Sequence, residues 1–222
     1  MRTKTLLLAA VLGVAGIVTS LAQNVYSVNV VGYITKTCQP GFNMICNPLV
    51  QDDTTLGALF PYPPNTLPDQ TVFYILLPGG GGYSIQTYYA DYGWLDPNIT
   101  LDLGAGFYLL NKEATPIDVT FVGEVLQGDV GGAIPDGFSM ISSRVPQMTN
   151  VTELGLVPSD QDVIYKHYND GVSSGFDLYT FYAGYGYIPG EVEGPTLEPG
   201  QAVIFLSKTA SGASWVRTFN ID

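Results

Sequence analysis

Two short stretches of the chain combine aromatic rings with hydrogen-bonding side chains, a pattern that could bind a sugar. Each stretch places two rings around a glycine, Gly93 in the first and Gly186 in the second. Aromatic side chains on loops offer large, flat contact surfaces at a low cost in conformational entropy, and Asp or Asn oxygens accept hydrogen bonds from hydroxyls. The alternative is that the rings pack across strands within a sheet. The candidate ligand-binding residues are Tyr92, Trp94, Asp96, Asn98, Tyr185 and Tyr187.

The residue types needed for catalysis are scarce. His167 is the only histidine of the sequence, and a Ser or Cys nucleophile normally depends on such a base. Two carboxylates at a set separation could still hydrolyse a glycosidic bond, but the sequence does not single out a pair. We therefore expect no enzyme and no catalytic residue. The carboxylates considered for such a pair are Asp91, Asp96, Glu191, Glu193 and Glu198.

Cys38 and Cys46 are the only cysteines, and an exported protein could join them in a disulfide. Pro40 and Gly41 between them predict a turn that would let the two sulfurs face one another. The alternative is a pair of buried free thiols. Two cysteines and one histidine are too few and too scattered for a metal site, so no metal and no other cofactor is expected.

The composition favours a folded chain built of strands. Hydrophobic residues make up 46% of the 222 residues and charged residues only 13%, which is unlike a disordered chain. The 26 glycines, 15 prolines and 12% aromatic residues are typical of short strands joined by tight turns and disfavour a helical bundle. The formal net charge of −12 makes nucleic acid a poor partner.

The first 22 residues have the pattern of a secretory signal peptide. Arg2 and Lys4 precede an apolar run over residues 6–18, which falls short of the ~20 residues that a membrane-spanning helix needs. Ser20 and Ala22 place small residues before a cut after Ala22. We expect an exported protein, extracellular, periplasmic or at the cell surface, with no integral membrane segment after processing. The alternative is an uncleaved membrane anchor.

Four motifs occur twice in the same order, at offsets of 91 to 96 residues. Chance is a poor explanation for four ordered matches, so the sequence predicts an internal duplication. The four pairs are 41–45 with 137–141, 69–74 with 160–165, 87–94 with 180–187, and 100–104 with 196–200.

The predicted fold class is all-β, with two homologous β-sheet repeats, sandwich-like or barrel-like, each with one short helix. In the first repeat Asp53 is the expected cap of a helix over residues 54–60, and in the second Asn150 and Glu153 suggest a capping box. The expected domains are a signal peptide over 1–22, an N-terminal strand over 23–36, repeat 1 over 37–125 and repeat 2 over 126–222.

The N-terminal strand belongs to neither copy in the sequence comparison. Its Val and Tyr content over residues 24–34 predicts a strand, and an unpaired hydrophobic strand is an aggregation hazard. It either completes a sheet of its own molecule or adds to a neighbouring molecule, which would produce fibres.

Several of these segments are similar to a known group of proteins. The opening Val-Tyr-Ser-Val-Asn-Val-Val-Gly-Tyr over 25–33, the repeated Gly-Phe-x-Met-Ile and the Phe-Val-Gly-Glu-Val over 121–125 resemble a set of secreted, internally duplicated all-β proteins of environmental bacteria. The resemblance covers most of the chain after residue 22. It implies the architecture, and it implies no activity and no catalytic residue.

The resulting functional hypothesis is a non-catalytic secreted or cell-surface protein with a structural, adhesive or binding role. One alternative is a carbohydrate-binding module that uses the loop aromatics, with a glycan or a cell-surface component as partner. A second is a fibre-forming protein that self-associates by N-terminal strand addition. A glycan-active hydrolase is the least favoured alternative.

Overall fold

The computed structural model describes residues 30–64, 66–77, 80–190, 192–208 and 212–221. The expected signal peptide and residues 23–29 of the expected N-terminal strand lie outside the described residues. Within the described ranges, none of the helices combines the length and the apolar character that crossing a membrane requires.

The described chain is nearly all β, as the composition predicted, with seventeen strands and one short helix. The elements of the first half are β1 Val31–Cys38, β2 Gly41–Cys46, α1 Leu56–Leu59, β3 Val72–Leu76, β4 Tyr83–Tyr89, β5 Gly93–Trp94, β6 Gly106–Asn111 and β7 Ile117–Glu124. The elements of the second half are β8 Gly128–Ala133, β9 Gly137–Ile141, β10 Thr149–Asn150, β11 Leu156–Val157, β12 Val163–Asn169, β13 Ser174–Tyr182, β14 Gly186–Ile188, β15 Thr196–Leu197, β16 Val203–Ser207 and β17 Ser214–Phe219.

Each half contains one antiparallel five-stranded sheet, and the two sheets have the same strand order. The first sheet has the order β2-β6-β3-β4-β5, and the second, read from the corresponding edge, has the order β9-β16-β12-β13-β14. The repeated sequence motifs coincide, wholly or in part, with four strands at the same places in the two sheets, and β6 and β16 each follow the fourth motif. Residues at the same place in these strands are called equivalent.

In each half, the first strand pairs with the last. β1 pairs with β7 along its full length, from Val31 opposite Glu124 to Cys38 opposite Ile117. β8 pairs with β17 in the second half, and β11 adds to the other side of β17. β1 therefore has a counterpart in β8 and lies within the first half, whereas we had expected the N-terminal strand to stand outside both repeats. Residues 31–38 complete a sheet of their own molecule.

A hydrophobic core lies between the two sheets of each half. In the first half Phe73 and Phe107 of the five-stranded sheet pack in one cluster with Phe121 of β7. In the second half Phe205 of the five-stranded sheet packs with Trp215 of β17. Alternate residues of each five-stranded sheet point into these cores, so the residues between them form a second face of the sheet.

The helix α1 is shorter than expected and its cap differs. The Thr55 hydroxyl accepts a hydrogen bond from the backbone N–H of Ala58, at 3.3 Å, and is the N-cap of α1. Asp53, which we had expected to be the cap, instead accepts from the N–H of Thr55 at 2.9 Å. The chain leaves the helix at Phe60, just before Pro61, whose ring does not fit a continuing helix.

The expected helix of the second half is wrong. Asn150 caps as predicted, since its side-chain oxygen accepts from the N–H of Glu153 at 2.8 Å, but residues 151–155 form hydrogen-bonded turns. Gly155 has φ of +89° and lies against the carbonyl of Val216. This left-handed residue ends the turn before a helix can continue.

Candidate functional site

Trp94 belongs to the hydrophobic core, so its prediction as a ligand-binding residue is wrong. It is only 5% exposed, and its indole N–H donates to the carbonyl of Phe60 at 3.2 Å. Its ring packs edge-to-face on Phe73 at 4.9 Å and on Tyr88 at 5.4 Å. Trp94 lies opposite Tyr88 in the β4–β5 pairing, so the ring faces the core and not the solvent.

Tyr187, the counterpart of Trp94, is also a core residue and its prediction is likewise wrong. It is 2% exposed and packs edge-to-face on Phe181 at 5.2 Å. Its hydroxyl has no hydrogen-bond partner among the described residues, and burial raises the pKa of Tyr187. For both rings the alternative of packing within the sheets is the one that the structure supports.

The other four candidates lie on the surface and do not form a site with these two rings. Tyr92 is exposed and stacks on Tyr89 with ring centroids 4.8 Å apart, and Tyr185 is 77% exposed. The Asp96 carboxylate accepts from the backbone N–H of Asn98 at 3.0 Å, which is the local hydrogen bond of an Asx turn.

Cys38 and Cys46 are free and buried, so the expected disulfide is not formed in the structure. The reason is the course of the chain. Cys46 is at the far end of β2 from the turn at Gly41, and at ~3.3 Å per residue this strand carries it about 16 Å away from the turn. The two thiols accordingly lie in different hydrophobic clusters, and burial raises the pKa of each to about 12.

A continuous row of aromatic rings lies on the second faces of the two five-stranded sheets. Eight rings follow one another with centroid distances of 5.2 to 6.5 Å between neighbours. We call this set the aromatic row. In order of contact its members are Phe42, Tyr74, Tyr83, Tyr108, His167, Phe176, Tyr165 and Phe138.

Strand alternation and register build the row. Tyr74 follows the core residue Phe73 on β3 and therefore points to the opposite face. Tyr74 is paired with Tyr108 of β6, and its counterpart Tyr165 is paired with Ile204 of β16. Phe42, Tyr74 and Tyr83 thus have aromatic counterparts in the second half, whereas Tyr108 does not. The three counterparts are Phe138, Tyr165 and Phe176.

The row crosses from one half to the other at His167. Its ring lies 5.7 Å from the ring of Tyr108 and 5.2 Å from that of Phe176. His167 is 8% exposed, and desolvation by burial lowers its pKa below the ordinary 6.5, so the imidazole is neutral at neutral pH. The structure therefore makes the only histidine part of a row of rings.

A groove of about 380 Å³ opens along the row. Its volume is within the range of small-ligand sites, which are mostly apolar with a few polar groups. Three tyrosines bring hydroxyls to the lining, and among the described residues the lining includes no Asp, Glu, Lys or Arg. The residues that line it are Phe42, Tyr74, Tyr83, Tyr108, His167 and Phe176.

Three of the five carboxylates considered for hydrolysis have structural partners, namely Asp96, Glu193 and Glu198. Glu198 accepts a hydrogen bond from Lys36 at 2.7 Å, which holds its pKa below the usual range, and Glu193 accepts from the Asn150 amide at 2.9 Å. Glu191 lies outside the described residues. In the part of the chain that is described, no group of three or more His, Cys, Asp or Glu side chains is placed to hold a metal ion.

The aromatic row was not predicted, because the expected ligand site lay on loops. A signal was present, since Phe42, Tyr74 and Tyr83 recur as rings on the matching strands of the second copy. Comparison of the chain with protein-family models, with curated proteins and with solved structures finds no match.

Proposed function

We propose that this protein is a non-catalytic binding protein that acts outside the cell or at its surface, and that the aromatic row is its ligand surface. The observation that carries the proposal is the continuity of the row over both sheets. Contiguous exposed apolar surface on a soluble protein commonly marks a binding site. Four rings of the row are between 41% and 47% exposed, namely Phe42, Tyr83, Phe138 and Phe176.

The chemistry of the row suits a neutral ligand with apolar faces, such as a glycan. The C–H faces of a sugar ring can stack on aromatic rings, while the hydroxyls of Tyr74, Tyr83 and Tyr108 can exchange hydrogen bonds with it. The net charge of −12 disfavours an acidic polysaccharide. We therefore propose the aromatic row on the sheet faces as the carbohydrate site, in place of the loop aromatics.

Both halves of the chain contribute rings to the aromatic row, which favours an adhesive role. Phe42 belongs to the first half and Phe138 to the second, and an unbroken series of ring contacts connects them. An elongated ligand would contact both halves at once, so each half adds to the same binding event. The export signal in the sequence supports a place of action at the cell surface or in the medium.

The test is affinity electrophoresis through gels that contain a panel of neutral polysaccharides. We expect retardation of the wild-type protein by at least one of them. The variants Phe42→Ala and Phe138→Ala should each weaken binding about tenfold or more, the effect of removing a central contact. Tyr185→Ala removes a more exposed ring outside the row and should bind like the wild type. Retardation that depends on Tyr185 and not on Phe42 or Phe138 would contradict the proposal.

A further inference from the structure

Four rings of the first half form a closed cycle. Phe42 contacts Tyr74 at 5.5 Å, Tyr74 contacts Tyr83 at 6.3 Å, Tyr83 contacts Tyr108 at 6.4 Å, and Tyr108 contacts Phe42 at 5.8 Å. Neighbouring ring planes are inclined by 55° to 82°. We call these four rings the aromatic box. The same four residues line the groove, together with His167 and Phe176.

The dimensions of the box suit a small cation. A group at the centre of a square with sides of 5.5 to 6.4 Å lies about 4 Å from each ring centroid, inside the ~6 Å over which a ring face attracts a cation. Such boxes are the usual way in which proteins recognise quaternary ammonium groups, because a methylated ammonium is bulky, weakly hydrated and unable to donate a hydrogen bond.

The charge of the surroundings also favours a cationic ligand. No Lys or Arg is among the described residues that line the groove, and the chain as a whole is strongly acidic. His167 adds no positive charge at neutral pH, because its burial favours the neutral imidazole. A cation entering the box therefore meets four aromatic rings and a favourable overall field.

We propose that the aromatic box binds a small quaternary ammonium compound that is free in solution. This inference rests on the proposed binding role of the aromatic row and names one class of ligand for its first half. A free compound fits better than a membrane headgroup, because a groove of about 380 Å³ has the size of a small-molecule site.

The second half provides a built-in comparison. It has the counterpart rings Phe138, Tyr165 and Phe176, with centroid distances of 6.2 and 6.5 Å. At the position of Tyr108 it has Ile204, which is paired with Tyr165 as Tyr108 is with Tyr74. The counterpart of the aromatic box in the second half thus has three aromatic rings and not four, so we expect one binding site for each chain.

The experiment is a calorimetric titration of the whole protein with choline chloride and with tetramethylammonium chloride. We expect one site, and we expect the tert-butyl analogue of choline, in which carbon replaces nitrogen, to bind at least tenfold more weakly. Tyr108→Ile copies the second half and should weaken choline binding at least tenfold. Tyr108→Phe keeps the ring and should bind choline within about threefold of the wild type, and Phe138→Ala, outside the box, should do the same.

Equal binding of choline and its uncharged analogue would overturn the inference, and so would choline binding that survives Tyr108→Ile or is absent in the wild type. Sedimentation of the protein with phosphatidylcholine vesicles, without binding of free choline, would show a membrane headgroup as the ligand and would also overturn it. The proposed function is tested separately. If choline fails while Phe42→Ala and Phe138→Ala still reduce polysaccharide binding, the inference fails and the binding role stands.

Discussion

Cys46 and Ser142 occupy equivalent positions in the two halves, and each donates its backbone N–H to a glycine carbonyl of the opposite half. Cys46 donates to Gly200 and Ser142 to Gly104, both at 2.9 Å. Gly104 and Gly200 are themselves equivalent. The contacts are therefore reciprocal, as in the interface of a two-fold symmetric dimer, and the two halves of one chain pack as two subunits would.

The state of the cysteines can be measured directly. Because both thiols are buried and burial raises the pKa of each to about 12, the reactive thiolate is nearly absent at neutral pH. We expect the folded protein to resist alkylation by iodoacetamide, and two cysteines to react once the chain is unfolded in guanidinium chloride. An unreduced sample that takes up no label after unfolding would instead indicate a disulfide.

Replacement of Trp94 separates a core role from a binding role. Trp94→Ala should lower the free energy of unfolding by about 3–5 kcal/mol, the usual cost of deleting a large buried ring. Urea unfolding followed by circular dichroism measures this change. The matched control is Tyr185→Ala, an exposed ring of the same candidate set, which we expect to change stability by about 0.5 kcal/mol or less. A stable Trp94→Ala protein that has lost ligand binding would restore the loop hypothesis.

His167 should make stability depend on pH. Burial lowers the pKa of His167 in the folded chain below the 6.5 expected in the unfolded chain. At pH values between these two pKa values, the unfolded chain binds a proton that the folded chain does not. The free energy of unfolding should therefore fall as the pH decreases below about 6.5, and should not depend on His167 above that value.

The control for this prediction is His167→Leu, which introduces the residue found at the equivalent position, Leu76. We would measure the free energy of unfolding by urea at several pH values. Below pH 6.5, and above the pH at which Asp and Glu side chains begin to bind protons, this free energy should fall less steeply with decreasing pH in the variant than in the wild type. An unchanged slope would mean that other groups cause the dependence. Charged residues of the cleft beside His167 are Lys36, Lys166, Asp170, Asp177 and Glu198.

The ion pair between Lys36 and Glu198 joins the two halves, yet we expect it to contribute little. The Glu198 side chain is 59% exposed, and exposed ion pairs are typically worth about 0–1 kcal/mol. Glu198→Gln should change the free energy of unfolding within that range, and added salt should reduce the difference. A loss of several kcal/mol would show that the contact between the halves depends on this charge.

The fold class could be predicted from the sequence, because glycine and proline are typical of tight turns and tyrosine is typical of strands. The turn was correctly predicted over residues 90–92, but it ends before Gly93. Gly93, with φ of +81°, and Trp94 form the two-residue strand β5 and pair with Tyr89 and Tyr88. The error was to extend the turn over this strand. One step in a strand changes the face to which a ring points, so a small boundary error moved a core residue to the surface.

The aromatic row was only partly predictable. Six of its eight rings recur as three pairs at the repeat offset, so the sequence contains that information, whereas Tyr108 and His167 have no aromatic counterpart. The contact between Tyr108 and His167 joins the halves, and it depends on how two separately formed sheets pack through Met44, Cys46, Met140 and Ala202. No local pattern determines such packing.

The pairing of first and last strands in each half also governs the order in which the chain can fold. Thr35 meets Thr120 at a separation of 85 positions, and Asp129 meets Thr218 at 89. Bringing such distant segments together costs loop-closure entropy before any contact forms, and all-β proteins rich in distant pairings fold in milliseconds to seconds. Synthesis proceeds from the N-terminus, so the first half can close only after β7 has been made, and the edge of β1 that pairs with β7 has no partner strand until then.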